Sequence, residues 1–241
     1  MEYYYTPKEK IDAVNNTLII DDNFEYRHIA KVLRKKPGDK IYITDGELNI
    51  YRCEISEIIK DKILCRITHT DRDLYEPDEK IHLYMSPLRS ADRFEFAIEK
   101  AVELGVHSIT PVITQHTVNK SPFNETKLNR LHRISMSAMG QSQRCYLPKV
   151  NNIITFDRLI EDTISNKNRI VMYEFSEKDT KFVYDKSSKD IDLLIGPEGG
   201  FTNEEISGLR ESGWQVGSLG DRKLRAETAA IVSIFKIINC K

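Results

Sequence analysis

Leu194-Ile195-Gly196-Pro197-Glu198-Gly199-Gly200-Phe201-Thr202 reads as a short apolar strand, a loop with three glycines and the start of a helix. Thr202, with Glu205 three residues on, has the spacing of a capping box, which marks the helix start. Leu219-Gly220-Asp221-Arg222-Lys223-Leu224-Arg225-Ala226-Glu227-Thr228 repeats the pattern: strand QVGSLG (215–220), a loop, then AAIVSIFKII (229–238), a helix apolar nearly all round. A helix that apolar is buried, in the core or at a subunit interface. Strands that are apolar without alternation suit a parallel sheet covered on both faces. Ligands of open parallel sheets bind beyond the carboxyl ends of the strands, where both loops would lie. The glycines admit two readings, tight turning alone or close approach of a ligand to the backbone.

Working upstream, IHLYMSP (81–87) is a strand, and Ser90 or Asp92 can cap the helix FEFAIEKAVELG (94–105), which stops at Gly105. HSITPVI (107–113) is a second strand, so residues 81–113 form one βαβ unit. A helix is expected over residues 126–139, with Leu128, Leu131, Ile134 and Met139 on its apolar side, and RIVMYEF (169–175) and DLLIGP (192–197) as further strands. The segment is therefore α/β. Residues 1–70 read differently: TLII (17–20), KIYIT (40–44), a strand with Tyr51, Cys53 and Ile55 on one face, and KILCRITH (62–69), with a helix through His28, Ile29, Val32 and Leu33. Asp45-Gly46 is a turn signal. Short antiparallel strands with one helix suggest a small closed or half-closed barrel. DRDLYEPDEK (71–80) is charged, holds Pro77 and has no period, so it reads as a linker. The domains expected are 1–72 and 73–241.

The chain has 241 residues, 40% hydrophobic and 30% charged, enough for a large core and too mixed in charge for wholesale disorder. No apolar stretch is long enough to span a bilayer. MEYYYTPKEKID lacks the basic-then-apolar pattern of a secretory signal. Cys53, Cys65, Cys145 and Cys240 form no CxxC and sit in no His-rich cluster, so neither a zinc site nor a disulfide framework is expected. Free thiols suit a cytosolic protein. Net charge is −1, yet residues 27–36 hold five Lys/Arg and no acid, and residues 120–149 hold six against Glu125 alone. Charge by itself leaves two readings open, solvated helix faces or a phosphate-binding surface. No GxGxxG, GxxxxGK[ST], GxSxG or HExxH occurs, which removes the ordinary dinucleotide site, the P-loop, the hydrolase elbow and the zinc protease. The six histidines show no ligand spacing.

LIGPEGGFTNEEI followed by LGDRKLRAETAAI resembles the signature of the small-subunit ribosomal RNA uridine-N3 methyltransferases, within the SPOUT class. His28 with Val32-Leu33-Arg34 and Gly38-Asp39, the DRFEFAIEKAVELGV helix and QSQRCYLPKV (141–150) resemble further blocks in the family order. Gly140 departs from the pattern, which has an acidic residue there in many members.

The resemblance implies an α/β trefoil knot with helices on both faces of a parallel sheet, and a PUA-like N-terminal β-barrel. It implies a homodimer with the C-terminal helix at or near the interface. It implies an S-adenosylmethionine site built from three loops, with Tyr173 and Glu174; Ile195, Gly196, Pro197, Glu198, Gly199 and Gly200; and Leu219, Gly220, Leu224, Arg225, Ala226, Thr228 and Ala229. Arg225 is the expected catalytic stabiliser. Glu227 has three candidate roles: orienting Arg225, acting as a base, or sitting as a carboxylate at a helix N-terminus. Arg27, Lys31, Arg34, Lys35 and Lys36 are expected to contact RNA phosphates, and Lys100, Glu103 and Arg144 to line the RNA side. No metal is expected, nor DNA or a membrane. The substrate is small-subunit ribosomal RNA or the assembled subunit. Two other readings stay open: methylation of another ribosomal or transfer RNA nucleotide, and a non-catalytic assembly factor.

Overall fold

Alternating side chains and turn residues build the first unit. The computed structural model describes residues 2–121, 123–174, 185 and 187–239. Residues 1–76 and 136–147 form one compact unit, and residues 77–135 and 148–241 the other. The division thus falls at Glu76/Pro77 rather than at 72/73, and the segment 136–147 further along the chain belongs with the first unit.

That first unit is a six-stranded sheet in the order β1-β4-β5-β6-β3-β2. The strands are β1 (Tyr3–Tyr5), β2 (Ile11–Asp12), β3 (Thr17–Ile20), β4 (Lys40–Thr44), β5 (Asn49–Ile59) and β6 (Lys62–Arg72). β1 pairs with β4 in parallel and the remaining pairs are antiparallel. Alternation puts Ile41, Ile43, Tyr51, Cys53, Ile55, Ile63 and Cys65 into one core with Leu18, Ile20 and Ile29. The period-2 pattern of 40–69 predicts this; β1, a run of three tyrosines, carries no such signal.

Two expectations fail here for physical reasons. The helix of 23–33 begins as α1 (Asn23–Tyr26), capped by Asp22, and continues as a π-helical turn over Arg27–Val32. Leu33 N–H donates to the carbonyl of His28, five residues back. The wider turn rotates the face, so Glu25, Tyr26 and Ile29 are buried while Val32 and Leu33 are 67% and 42% exposed. Second, 71–80 is no free linker. Asp71 and Arg72 complete β6, and the buried Glu76 carboxylate accepts from Arg144 Nη2 at 2.7 Å and from the backbone N–H of Cys145 at 2.8 Å. Gly140 also finds its reason here: a Cβ would lie 2.3 Å from the carbonyl oxygen of Tyr3, so the acidic residue of the family pattern has no room against β1.

In the second unit every strand pairing among the described residues is parallel. The order is β10-β8-β7-β12-β11-β13, from β7 (Lys80–Met85), β8 (Ser108–Ile113), β10 (Ile154–Thr155), β11 (Arg169–Met172), β12 (Asp190–Ile195) and β13 (Gln215–Gly217), with β9 (Lys149–Val150) also on β8. The helices are α2 (Ala91–Glu103), α3 (Glu125–Gln141), α4 (Phe156–Thr163), α5 (Asn203–Glu211) and α6 (Ala226–Asn239); the last residues of α3 group with the first unit. Ser90 rather than Asp92 caps α2, its hydroxyl accepting from Arg93 N–H. Thr202 and Glu205 make the full capping box of α5. β11 is shorter than RIVMYEF suggests, and Phe175 lies outside the described residues, as does Cys240. α6 packs on α2 and β12, burying Ala230, Ile234 and Ile237. Among the described residues no helix is long and apolar enough to cross a membrane, and no cluster of three or more His, Cys, Asp or Glu side chains could hold a metal ion.

Candidate functional site

β12, β11 and β13 lie side by side in parallel, so their carboxyl ends and the loops that follow open on the same edge of the sheet. The loops enclose a cavity of about 390 Å³, within the size range of small-ligand sites. Its walls include Tyr173 and Glu174 after β11, Ile195, Gly196, Pro197, Glu198 and Gly200 at the end of β12, and Leu219, Gly220, Leu224 and Arg225 after β13, closed by Ala226 and Ala229 of α6. These are the residues the resemblance places together, with two exceptions. Gly199 is turned toward His116, whose Nδ1 donates to the Gly199 carbonyl at 3.0 Å. Thr228 is exposed on α6, off the cavity wall. Gly220 has φ +113°, a conformation open to glycine, and nothing lies within 4 Å of where a Cβ would stand.

Six wall residues were not expected: Arg93, Met172, Phe201, Ser218, Arg222 and Lys223. Met172, Phe201 and Ser218 are sequence neighbours of expected residues. Arg93 is different in kind, because it comes from α2. Its Nε and Nη2 donate to the two carboxylate oxygens of Glu227 at 2.9 and 2.7 Å, and its Nη1 reaches Glu198 at 3.4 Å. Glu198 also accepts from the backbone N–H of Arg89 at 3.1 Å. One guanidinium therefore ties α2 both to the 196–200 loop and to the first turn of α6. A fork-on-carboxylate pair fixes orientation as well as distance.

The pairing revises the choice of roles for Glu227. The hydrogen bond from Arg93 holds its carboxyl below the usual carboxylate range, helped by the charges of Arg93 and Arg225. A carboxylate so stabilised is a weak base near neutral pH. Its partner is Arg93, whereas Arg225 is exposed and makes no ion pair among the described residues. Lys223 Nζ donates to Glu174 at 2.7 Å, joining the β11 and β13 loops across the mouth.

The expected RNA contacts fare unevenly. Arg27, Lys31, Arg34 and Lys36 are exposed and Lys35 half-buried, with no ion pair to any of them among the described residues. Lys100 donates to Glu99 and Glu103, each at 2.7 Å, so the pair expected to line the RNA side is internally neutralised. Arg144 is a correction: it is 7% exposed and its guanidinium is spent on Glu76 inside the first unit, so it offers no charge to a phosphate.

Known proteins align with this geometry. Residues 75–238 match the model of the RNA methyltransferase domain, and residues 20–68 that of the RNA methyltransferase PUA domain. The chain is 33% identical over 229 residues to ribosomal RNA small subunit methyltransferase E of Mesomycoplasma hyopneumoniae, covering 95% of this chain and 97% of that protein. It is 30% identical over 222 residues to the enzyme of the same name from Bacillus subtilis, covering 88% and 86%. Among solved structures, ribosomal RNA small subunit methyltransferase E from Neisseria gonorrhoeae, bound to S-adenosyl methionine, superposes with a TM-score of 0.87 at 31% identity over 97% of this chain and 95% of that one. A methyltransferase from Legionella pneumophila in complex with the same cofactor gives 0.85 at 28% identity, over 98% and 96%.

Proposed function

We propose a function from one premise: the chain belongs to the ribosomal RNA small subunit methyltransferase E family. It transfers a methyl group from S-adenosylmethionine to small-subunit ribosomal RNA, and the acceptor is N3 of a uridine. The observation that carries this reading is the cavity at the ends of β11, β12 and β13, whose walls gather thirteen of the fifteen expected cofactor residues. Its volume and its mix of backbone and apolar walls fit a nucleoside-bearing ligand. When bound, the cofactor supplies a methyl group activated by its sulfonium.

The chain's own part is binding, orientation and charge. Leu219, Leu224 and Ala229 offer apolar walls, while Gly220 leaves backbone groups open to hydrogen bonding. N3 of uridine lies on the pairing edge, so the base must be unpaired or flipped to be reached. Its N–H is weakly acidic, and transfer is eased by stabilising the anion left when the proton departs to solvent or a base. Arg225, exposed at the cavity and without an ion-pair partner among the described residues, is the group that does so. Arg93 and Glu227 act one step back: their fork holds the 198 loop and the start of α6, and so places Arg225 and Ala226.

The finer architecture belongs to the same reading. The segment after β12 threads into a trefoil knot, the unit of residues 1–76 and 136–147 serves as a PUA-like RNA-binding domain, and two copies pair through the α6 side, where Phe235 stands half in solvent. The protein works in the cytoplasm.

Calorimetric titration with S-adenosylmethionine tests the site. One equivalent should bind per chain, and Gly220→Val, which forces a branched residue to positive φ, should abolish binding. Arg225→Ala should bind the cofactor within a few-fold of wild type and lose transfer by about 10²-fold or more, as for loss of a preorganised charge-stabilising donor. Wild-type turnover in Arg225→Ala would contradict the assignment.

A further inference from the structure

The first turn of the helix in the N-terminal unit presents an aromatic ring to solvent among exposed cations. Phe24 is 51% exposed, an uncommon placement for phenylalanine. Its ring stacks on that of His28, one turn later, with centroids 6.5 Å apart and planes within 12°. Tyr4 also lies against His28, with centroids 6.0 Å apart, and Glu2 accepts from its Nε2 at 3.1 Å, so the imidazole that backs Phe24 is held in place. Arg27 and Lys31 follow on the same helix and Arg34 at its exit, all exposed.

Acids near this ring are already engaged. Asp22 accepts from the Phe24 and Glu25 backbone N–H groups, and Asp21 pairs with Lys10 at 2.7 Å. Burial pushes the Glu25 carboxyl up to about 8, so it is largely uncharged at neutral pH. The helix thus presents one exposed ring with exposed cations following it, and the other exposed large hydrophobics of the helix and its C-cap are Val32 and Leu33. Every nucleobase has a π-face to lay on such a ring, and a polyanionic backbone is the partner that the surrounding charge selects. A protein partner would need a broader apolar patch than three side chains ringed by cations.

We propose that Phe24, backed by His28, is a stacking platform for one unpaired base of the RNA substrate, with the flanking phosphates held by Arg27, Lys31 and Arg34. This rests on the reading above that the chain acts on RNA, and adds a base contact to what otherwise is phosphate contact alone.

The two modes of binding separate in salt. Binding of a short labelled single-stranded RNA to the full chain, followed by anisotropy over a salt series, should weaken about ten-fold at every salt concentration in Phe24→Ala, with the slope of log affinity against log salt unchanged. Phe24→Trp should restore binding. Arg27→Ala with Lys31→Ala should instead flatten the slope, by about 0.7 for each phosphate no longer neutralised. The proposal is overturned if Phe24→Ala binds like wild type. It is overturned equally if Phe24→Leu, apolar without a π-face, binds like wild type, the result a protein-docking patch would give. Unchanged thermal unfolding and cofactor titration in these variants establish that the fold is intact. If the wild-type chain binds no RNA, the failure lies in the functional reading itself.

Discussion

Residues 27–36 hold Arg27, Lys31, Arg34, Lys35 and Lys36 on a helix and its exit, Lys35 half-buried and the others open to solvent, all free of ion pairs among the described residues. Residues 120–149 hold six cations, and half of them are spent. Arg144 is buried on Glu76, Arg130 forks onto Glu95 with one bond of 2.7 Å, and Lys127 stands 3.7 Å over the ring of Phe123, where burial lowers its pKa. The two stretches have the same formal excess of charge. What distinguishes them is whether acids from elsewhere in the chain arrive to meet the cations, as Glu95 and Glu76 do, and a local charge sum is blind to that. Free charge is what a phosphate can use.

The sharpest way to break this contrast is Arg144→Leu. It leaves the Glu76 carboxylate buried beside backbone donors alone, and should cost about 3–5 kcal/mol of stability, the usual penalty for stripping one partner from a buried pair. Urea unfolding measures it, and adding Glu76→Gln should recover part of the loss. A near-neutral Arg144→Leu would mean the pair is not the anchor it resembles.

Next in size, alanine at Arg34, Lys35 and Lys36 together should flatten the salt slope of RNA binding by about 2. Alanine at Lys127 and Arg130 should leave the slope nearly as it was. Equal slopes for the two sets would erase the distinction between free and spent charge.

A smaller effect comes from beneath the first stretch. Glu25 titrates near 8 when folded against 4.5 ordinarily, so its burial favours the folded state fully below 4.5 and that contribution is lost as pH rises to about 8. The unfolding midpoint should therefore fall across that window, and Glu25→Gln should flatten the fall. The least effect is expected of Arg130→Ala, below about 1 kcal/mol, since its guanidinium is largely exposed.

The same contrast explains what could be read in advance. The loops at 194–202 and 219–228 announce themselves because strand, glycines and cap are contiguous, and most of the cavity wall follows from them. Arg93 could not be found that way: it lies in the DRFEFAIEKAVELGV block, but nothing in that block assigns it to the site, and its partner lies 134 residues along the chain. Glu76 and Arg144, 68 residues apart, are the same case, which is why a charged, aperiodic stretch resembled a free linker. Val32 and Leu33 misled through geometry, since 3.6-residue periodicity does not describe a π-helical turn. The parallel seat of β1 on β4 rests on pairing between Tyr3 and Tyr42, which no local pattern announces.

The most direct measurement is transfer of labelled methyl from S-adenosylmethionine to unmethylated small ribosomal subunits, followed by nucleoside mass spectrometry. The account predicts label in 3-methyluridine with the wild-type chain, and none above background with Arg225→Ala although the cofactor still binds. Label in a different nucleoside, or no incorporation by a chain that binds the cofactor, would contradict it.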